Sequence, residues 1–431
     1  MKKTVIALLA SLTVGASVWA QTPPQDIDLP TLLDWVHDLS PRLAIERQSV
    51  EAAQAERLSA GAWPNPSLGY TQSRQPGTLT NFSSARAREW TLEFPLLVGG
   101  QRGARLEAAQ RAIDAARARV SLSEQDLAAD AALAHVHLLV AQERLALQEE
   151  GLSRLQALRE IVSSRLASGL ASRYELLRFD VEVASGRQNV ADAHAELLQA
   201  QSDLASTLAL HDWHPRALGS LRALAEPAEE AQESVAADHV SNLAVQLARQ
   251  DEALAGAGVE LARRERWPAV SLNVARFWTE RPYGATQSVG ATVELPLFDS
   301  REGALGKALA EARSATLKRE LIEVENKRMR QQHAQTLLLR HRSLLRFEED
   351  TAQKLGTLHQ MAEDAYRLGK GSVLELLDAS RSNLQIRLER VDMIQSVIEA
   401  RIRLLVTRSQ LVGAWGHGAE RGSTQGAYPA H

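Results

Sequence analysis

The segment GLASRYELL, at Gly169–Leu177, is echoed as GKGSVLELL at Gly369–Leu377, 200 residues later. In both copies a glycine stands six positions before the sequence Glu-Leu-Leu. Glycine readily adopts the left-handed backbone conformation that ends a helix, so each copy predicts a turn between two helices. The same turn written twice indicates that the chain contains two copies of one unit.

Further matches follow the same order along the two halves of the chain. EFPL, at Glu93–Leu96, matches ELPL, at Glu294–Leu297, and all the matched pairs are separated by 200 to 204 residues. The others are Arg42-Leu43-Ala44 with Asn242-Leu243-Ala244, Trp63-Pro64 with Trp267-Pro268, and Gly103-Ala104 with Gly303-Ala304. Nearly constant spacing in one order indicates an internal duplication. Each half is therefore predicted to contain a helix, two strands, a long helix, a turn and a second long helix.

Two long helices are predicted in each half from a seven-residue pattern of apolar and small residues. From Leu176 to Thr207 the spacing alternates strictly between three and four, which is typical of helices packed lengthwise in a coiled coil. No proline falls between Gly103 and Gly169 or in the matching interval of the second half. A continuous helix over that interval would be roughly 100 Å long.

Two strands are predicted in each half because apolar and polar residues alternate. In the first half the apolar members occupy one face and the polar members the other: Trp90, Leu92 and Phe94 against Glu89, Thr91 and Glu93. Ten of the 19 aromatic residues lie in the strand regions 63–98 and 267–298, and this combination is typical of a transmembrane barrel. A soluble sheet edge is the alternative. Four strands cannot close in lipid, so a barrel would have to be shared between protomers.

The boundaries of the two repeats follow from these patterns. The first repeat covers 21–225, with strands at about 64–72 and 87–97 and helices at about 102–168 and 172–210. The second covers 226–412, with strands at about 269–279 and 287–298 and helices at about 302–368 and 372–412. Between the halves, His211–Glu230 contains two prolines and is predicted to be a linker or side element. The tail, 413–431, is predicted to be disordered.

The first 20 residues are predicted to be a secretory signal that is removed after export. Lysines at positions 2 and 3 precede an apolar run over 4–18, and Val18 and Ala20 supply small residues for cleavage. A membrane anchor is the alternative, but the run is short for a span. Gln21 follows the cut and the sequence has no cysteine, so a lipidated cysteine, a disulfide and a thiolate metal site are not expected. No later segment has 18 consecutive apolar residues, so a helical membrane protein is not expected either.

Composition and motifs argue against several classes of protein. The formal net charge of −4 gives no bias toward nucleic acid. The sequence lacks the phosphate loop GxxxxGK(S/T), the nucleophile elbow Gly-x-Ser-x-Gly and the zinc motif HExxH. The twelve histidines are dispersed, and His135 and His137 fall on different helix faces. An enzyme, a cofactor and a tight metal site are therefore not predicted, and no nucleic acid partner is expected.

A signal sequence, paired strand hairpins and paired long helices in two copies resemble the TolC-like outer-membrane efflux proteins. The resemblance covers essentially the whole mature chain. It is strongest at YRLGKGSVLELLDA, Tyr366–Ala379, and RLASGLASRYELL, Arg165–Leu177, which are similar to the family's two helix–helix tips. It implies a fold that is mostly α with a small β part, in which four strands per protomer contribute to a trimeric 12-stranded β-barrel. A long α-helical coiled-coil tunnel would continue the barrel into the periplasm.

The resemblance also implies roles for residues at the turns. Glu375 and Asp378 occupy the positions of an acidic ring at the tunnel's periplasmic aperture, and their spacing of three places them on one helix face. Such a ring attracts cations, although a solvated helix face would look the same. Tyr366 and Glu175 match the gate contacts that tie neighbouring helices together. Gly371 stands where the family has a basic gate residue.

Two further groups of residues are assigned by the resemblance. Six are expected to dock the adaptor, although a plain helix-ending turn would also explain the glycines: Arg165, Gly169, Leu170, Ser172, Gly369 and Ser372. EFPL and ELPL would mark the transition from barrel to tunnel. Pro95 and Pro296 are expected to end their strands, because proline cannot donate to the strand ladder. Glu93 and Glu294 are expected to point into the lumen.

The segments LLVGGQRGARLEAA, Leu96–Ala109, and AWPNPSL, Ala62–Leu68, resemble the heavy-metal (cobalt–zinc–cadmium) branch of the family. The implied function is the exit duct of a tripartite RND-type efflux pump for divalent heavy-metal cations. The protein would be a passive homotrimer in outer-membrane lipid, with its helical part in the periplasm. A periplasmic adaptor (membrane fusion) protein would open it, and an inner-membrane RND transporter would drive export. The alternatives are a duct for drug efflux or type I protein secretion and, less favoured, a periplasmic coiled-coil adaptor.

Overall fold

The computed structural model describes residues 24–75, 85–226, 242–279 and 284–415. The predicted signal sequence, 1–20, lies outside these residues. So does the predicted tail, apart from 413–415, which end a short helix.

Long helices and short strands alternate along the described chain. The first half contains β1 (Asp26–Ile27), α1 (Leu29–Leu39), α2 (Pro41–Gly61), β2 (Ser67–Gln75), β3 (Ala85–Leu96), α3 (Gln101–Ala167), α4 (Arg173–Thr207), β4 (Arg216–Ala217) and α5 (Leu221–Ala225). The second contains α6 (Leu243–Arg264), β5 (Val270–Thr279), β6 (Ala285–Val293), α7 (Glu302–Arg367), α8 (Val373–Thr407) and α9 (Leu411–Trp415). The predicted fold class, mostly α with a small β part, is confirmed. Within the described ranges, no helix is both long enough and apolar enough to cross a membrane.

The described residues form two compact units. Residues 24–41, 125–226 and 330–415 make the first, which we call the helical unit. Residues 42–75, 85–124, 242–279 and 284–329 make the second, which we call the sheet unit. Both halves of the duplicated sequence therefore contribute to each unit.

The helical unit is built on an apolar core shared by α3, α4, α7 and α8. Each of these helices contributes a side chain that is fully buried: Leu138, Leu204, Leu337 and Ile398. The predicted coiled-coil seam of α4 is also seen, because Phe179 and Gly186 are buried. A Cβ atom added at Gly186 would lie 3.2 Å from Leu152 of α3, so the glycine permits close approach of the two helices.

The segment between the two halves is a packed side element of the helical unit. Its strand β4 pairs in parallel with β1, joining Ile27 to Ala217. Trp213 donates its indole N–H to the carbonyl of Pro24 at 3.0 Å. The start of α1 follows directly, capped by Asp28, whose carboxylate accepts the N–H of Thr31 at 3.0 Å. These contacts attach the start of the described chain to the segment between the two halves.

The sheet unit contains one antiparallel four-stranded sheet with the order β2-β3-β5-β6. The central pair, β3 and β5, joins the two halves of the chain, and Leu92 lies opposite Val274. After β3 the chain turns into α3 through Gly99. A Cβ atom added at Gly99 would lie only 2.5 Å from Trp267, so no larger residue fits there without a shift.

The two faces of this sheet differ in chemistry, as the alternation predicts. Residues directly opposite each other in neighbouring strands share a face, so the register assigns every side chain to one side. One face, which we call the apolar face, carries four arginines and nearly all the large apolar residues: Leu68, Tyr70, Trp90, Leu92, Phe94, Leu96, Val270, Leu272, Val274, Trp278, Val289, Ala291 and Val293. The polar face carries Glu89, Glu93 and neutral residues, with Phe277 as its large apolar exception. Most of the apolar face is exposed in the single chain, and Val289 is 74% exposed.

Candidate functional site

The ends of the two helical hairpins, α3–α4 and α7–α8, lie in the helical unit and contain most of the predicted site residues. Both α3 and α7 end in a glycine with positive φ, 72° at Gly169 and 73° at Gly369. Leu170 N–H bonds to the carbonyl of Arg165 at 2.8 Å, and Lys370 N–H bonds to that of Ala365 at 2.9 Å. These are the hydrogen bonds of a Schellman C-cap, so both predicted turns have one geometry.

A serine begins each returning helix. Ser172 Oγ accepts the N–H of Glu175, and Ser372 Oγ accepts the N–H of Glu375, each at 3.2 Å. In the second turn the Glu375 carboxylate also accepts the N–H of Ser372 at 3.0 Å, which completes a capping box. Both serines were predicted as docking residues, and in this chain each caps a helix.

The predicted aperture pair occupies the exposed side of the first turns of α8. Glu375 and Asp378 are exposed, whereas Leu376 and Leu377 between them are buried in the core. The Glu375 carboxylate is held toward the helix N-terminus by its capping bond to Ser372, where the helix dipole favours a negative charge. Membership of an acidic ring remains a prediction, because the ring requires further copies of the chain.

Arg165, near the end of α3, joins the two hairpins. Its Nη1 donates to the carbonyl of Tyr366 at 2.9 Å and to that of Arg367 at 3.1 Å. Its Nη2 lies 3.4 Å from the carbonyl of Leu170. The guanidinium also lies 4.9 Å from the centre of the Tyr366 ring, within the range of a cation–π interaction. The residue predicted to dock an adaptor thus caps the last carbonyls of α7.

Tyr366 provides the second link between the hairpins. Its hydroxyl donates to Oε2 of Glu175 at 3.2 Å, so the end of α7 is tied to the start of α4. The residue is 4% exposed and packs with Val162, Phe179 and Leu376. Burial, followed by the Glu175 charge and hydrogen bond, raises the pKa of Tyr366 to about 12. The hydroxyl therefore keeps its proton and remains a donor. The structure brings together the two predicted gate residues.

Gly371, which the resemblance places where a basic gate residue is expected, has little room for a side chain. A Cβ atom added there would lie 3.1 Å from the Cβ of Ala365 and 3.3 Å from the backbone nitrogen of Tyr366. Contacts as short as these would require the neighbouring atoms to move. The turn of this chain is therefore built around a glycine at this position.

An ion pair that no sequence motif indicates joins α4 to α8, within three turns of the start of each helix. Arg381 donates through Nε to Oε2 of Glu182 at 3.0 Å, and its Nη2 bonds to Oε1. Glu182 is only 6% exposed, whereas the side chain of Arg381 is 58% exposed. The two residues are 199 positions apart and belong to no motif, so only the fold brings them together.

In the sheet unit, the predictions that Pro95 and Pro296 end their strands are both wrong. Glu93 lies in β3, opposite Ser67 and Asn273, on the polar face as predicted. Pro95 does not end β3, because the strand continues to Leu96, which pairs with Val270.

In the second half the strand stops earlier than predicted. β6 ends at Val293, so Glu294 and Pro296 lie beyond it rather than on a strand. The physical reason is the length of the partner strand, since β5 begins at Val270, opposite Val293. Beyond the strand, Glu294 N–H still bonds to the carbonyl of Ala269, just before β5, at 2.9 Å.

In the part of the chain that the structure describes, no group of three or more His, Cys, Asp or Glu side chains is placed to hold a metal ion. His135 is fully buried, and its Nε2 lies 3.2 Å from the carbonyl of Ile27. Its role is the attachment of the β1 segment to α3. His137 and His194 each approach a single carboxylate, Glu399 at 3.4 Å and Glu149 at 3.7 Å.

Comparison with known proteins agrees with this architecture. Residues 32–210 match the family described as "Outer membrane efflux protein". The nickel-cobalt-cadmium resistance protein NccC of Alcaligenes xylosoxydans xylosoxydans is 25% identical over 74% of this chain and 71% of its own length. The cobalt-zinc-cadmium resistance protein CzcC of Cupriavidus metallidurans is 26% identical over 83% of this chain and 84% of its own. The solved structure of the outer-membrane channel OprN, 20% identical, superimposes with a TM-score of 0.73 over 90% of both chains. Over residues 32–210 the chain is therefore similar to the outer membrane efflux proteins, and it shares the fold of a bacterial outer-membrane channel.

Proposed function

We propose that the protein is the outer-membrane exit duct of a tripartite efflux pump that exports divalent heavy-metal cations. The observation that carries this proposal is the similarity to two relatives named for resistance to nickel, cobalt, zinc and cadmium. A duct needs weak and transient contacts with its cargo, because a tight site would slow conduction. The dispersed histidines are compatible with such a duct. The metal ion is here the cargo and not a resident cofactor.

The working assembly in this proposal is a homotrimer in outer-membrane lipid. Four strands per chain leave two open edges, and open edges are not tolerated in lipid. Three copies would supply the 12 strands of a closed barrel. The exposed apolar face of the sheet would then contact lipid. The polar face, with Glu89 and Glu93 on it, would line the interior.

The hairpin ends are the gate in this proposal. The link from Arg165 to the end of α7 and the link from Tyr366 to Glu175 hold the two hairpins together. Docking of a periplasmic adaptor, coupled to an inner-membrane RND transporter, would separate them. Glu375 and Asp378 from three chains would surround the aperture and raise the local concentration of cations.

Growth of the source bacterium with and without the gene tests the cargo. The panel pairs cobalt, zinc, cadmium, nickel, copper and silver salts with dyes and detergents. We expect the deletion strain to become sensitive to divalent metals only, and a plasmid copy of the gene to restore growth. Sensitivity to dyes and detergents at unchanged metal tolerance would instead support a drug-efflux duct and reject the metal proposal.

A further inference from the structure

All four arginines of the sheet lie on its apolar face. The register places Arg74 opposite Arg86, and Arg276 opposite Trp90. Arg88 lies opposite Trp278. The apolar face of the described strands contains no acidic residue, and both glutamates of the strands are on the polar face. Charge is therefore sorted between the two sides of one sheet.

The arginines are also sorted along the strands. Starting from the end where Leu96 pairs with Val270, the first three rows of the apolar face are aliphatic or aromatic throughout. The fourth row contains Tyr70, Trp90 and Arg276, the fifth contains Gln72, Arg88 and Trp278, and the sixth contains Arg74 and Arg86. Successive rows are about 7 Å apart. Apolar rows thus give way to two rows that mix aromatic and basic residues, and then to a row with two arginines. We call Arg74, Arg86, Arg88 and Arg276 the arginine belt.

The positive charge of this belt is uncompensated within the described chain. All four side chains are exposed, and none forms an ion pair with a described carboxylate. Arg276 instead lies 4.9 Å from the ring centre of Trp278. Elsewhere in the sheet unit the pattern is different, since Arg264 pairs with Glu260 and Arg319 with Glu252, both at 2.7 Å. The belt is therefore free to accept anions from outside the chain.

We propose that the arginine belt binds the phosphate groups of lipid headgroups around the protein. The inference rests on the proposed function, in which the apolar face contacts lipid. Arginine is suited to this partner, because its planar guanidinium binds phosphate oxygens in pairs. The order of rows supports a lipid rather than free phosphate. The apolar rows would contact acyl chains, and the rows with Tyr and Trp would lie at the interface where such rings concentrate. The arginines in and beyond those rows would reach the headgroups.

Lipid binding by the full-length protein in an uncharged detergent tests the proposal. The probes are fluorescent phosphatidic acid and a fluorescent diacylglycerol with the same acyl chains, which differ only by the phosphate. We expect at least about tenfold preference for phosphatidic acid. The variant R86Q/R88Q/R276Q should lose that preference while its affinity for diacylglycerol is unchanged. Arg57→Gln removes an exposed arginine from α2 and should behave as the wild type. Replacing the three belt arginines by lysine should restore part of the preference, since the charge returns without the paired geometry.

Two results would overturn the proposal. Equal preference in the wild type and the triple glutamine variant would show that the belt does not select phosphate. Displacement of phosphatidic acid by millimolar inorganic phosphate would show a soluble-anion site instead of a lipid site. Conductance of the same preparations in planar bilayers separates this failure from failure of the proposed function. Pores without a lipid preference would reject the belt alone, whereas the absence of pores in both the wild type and the gate variant Tyr366→Phe would reject the duct.

Discussion

Arg165 donates to the main-chain carbonyl of Tyr366 at 2.9 Å, across 201 residues of sequence. Tyr366 in turn donates its hydroxyl to Glu175 at the start of α4. Each hairpin end therefore donates a hydrogen bond to the other. Arg165, Tyr366 and Glu175 therefore form one set of contacts between the hairpins, which we call the hairpin link. In this link the C-terminus of α7 is capped by a residue from the other hairpin.

Tyr366→Phe should weaken the hairpin link without leaving a cavity in the core. The phenyl ring keeps the packing, while the hydrogen bond to the Glu175 carboxylate is lost at a cost of about 1–2 kcal/mol. In planar bilayers we expect a larger open fraction than in the wild type. Tyr174→Phe is the matched control, because Tyr174 is 64% exposed. An open fraction equal to the wild type in Y366F would exclude Tyr366 as a gate contact.

Alkaline pH should act on the same contact. Because the folded state raises the pKa of Tyr366 from 10 to about 12, the stability it contributes is complete below pH 10 and is lost as pH rises through 12. We expect the wild type to lose more thermal stability than Y366F between pH 10 and pH 12. Scanning calorimetry of both proteins over this range checks the difference, and parallel curves would contradict it.

The acidic ring is tested by removing its charge. Glu375→Gln with Asp378→Asn should reduce the preference of the pore for cations over anions, because the carboxylates raise cation concentration at the aperture. Reversal potentials under a salt gradient measure this preference. The control is Glu51→Gln with Glu56→Gln, an exposed pair on α2. Selectivity that stays at the wild-type value in the aperture variant would mean that the two carboxylates are only a solvated helix face and helix cap.

The ion pair between Glu182 and Arg381 should respond unequally to loss of either partner. Arg381→Gln leaves a buried carboxylate without its partner and should destabilise the fold by about 2 kcal/mol. Glu182→Gln leaves an arginine whose side chain is 58% exposed and can be solvated, so a loss of less than about 1 kcal/mol is expected. Urea unfolding of the two variants gives the comparison. Equal losses would show that the geometry of the pair, rather than burial of Glu182, sets its contribution.

Mild acid should loosen the β1 segment from α3. Burial lowers the pKa of His135, opposed by its hydrogen bond to Ile27 and the charge of Asp28. The neutral form is therefore favoured in the fold, and its stabilisation is complete above pH 6.5 and lost as pH falls from 6.5 through the lowered pKa. The protection factors of residues 24–39, which correct for the pH dependence of intrinsic exchange, should fall as the pH is lowered from 7.5 to 5. His135→Gln should remove this dependence, whereas His194→Gln, at an exposed site, should leave it intact.

The sequence predicted the elements whose signals are local. A glycine followed by a serine and an acidic residue is sufficient for the turns at Gly169 and Gly369, and alternation is sufficient to divide the sheet into an apolar and a polar face. The capping box of Ser372 and Glu375 was also readable, since Ser-x-x-Glu is its signature, but the prediction assigned Ser372 to adaptor docking and Glu375 to the acidic ring.

Features that depend on tertiary context could not be predicted. Pro95 stays in β3 because Val270 extends its partner strand that far, while Pro296 lies outside β6 because no partner remains. Arg165 caps α7 and Arg381 meets Glu182 only because helices from different halves lie side by side. None of these pairings has a sequence motif.

The pairing of β3 with β5 has a consequence for how the protein folds. The residues that meet in this pair, such as Leu92 and Val274, come from opposite halves of the chain. During synthesis and export, β3 can pair with β2 but must wait for about 180 further residues before its second edge is covered. Such distant pairings are slow to form, and an uncovered edge invites aggregation in the meantime. The register that joins the two repeats therefore makes completion of the sheet a late step in folding. Until the second repeat is available, the exposed edge of β3 has to be protected from aggregation.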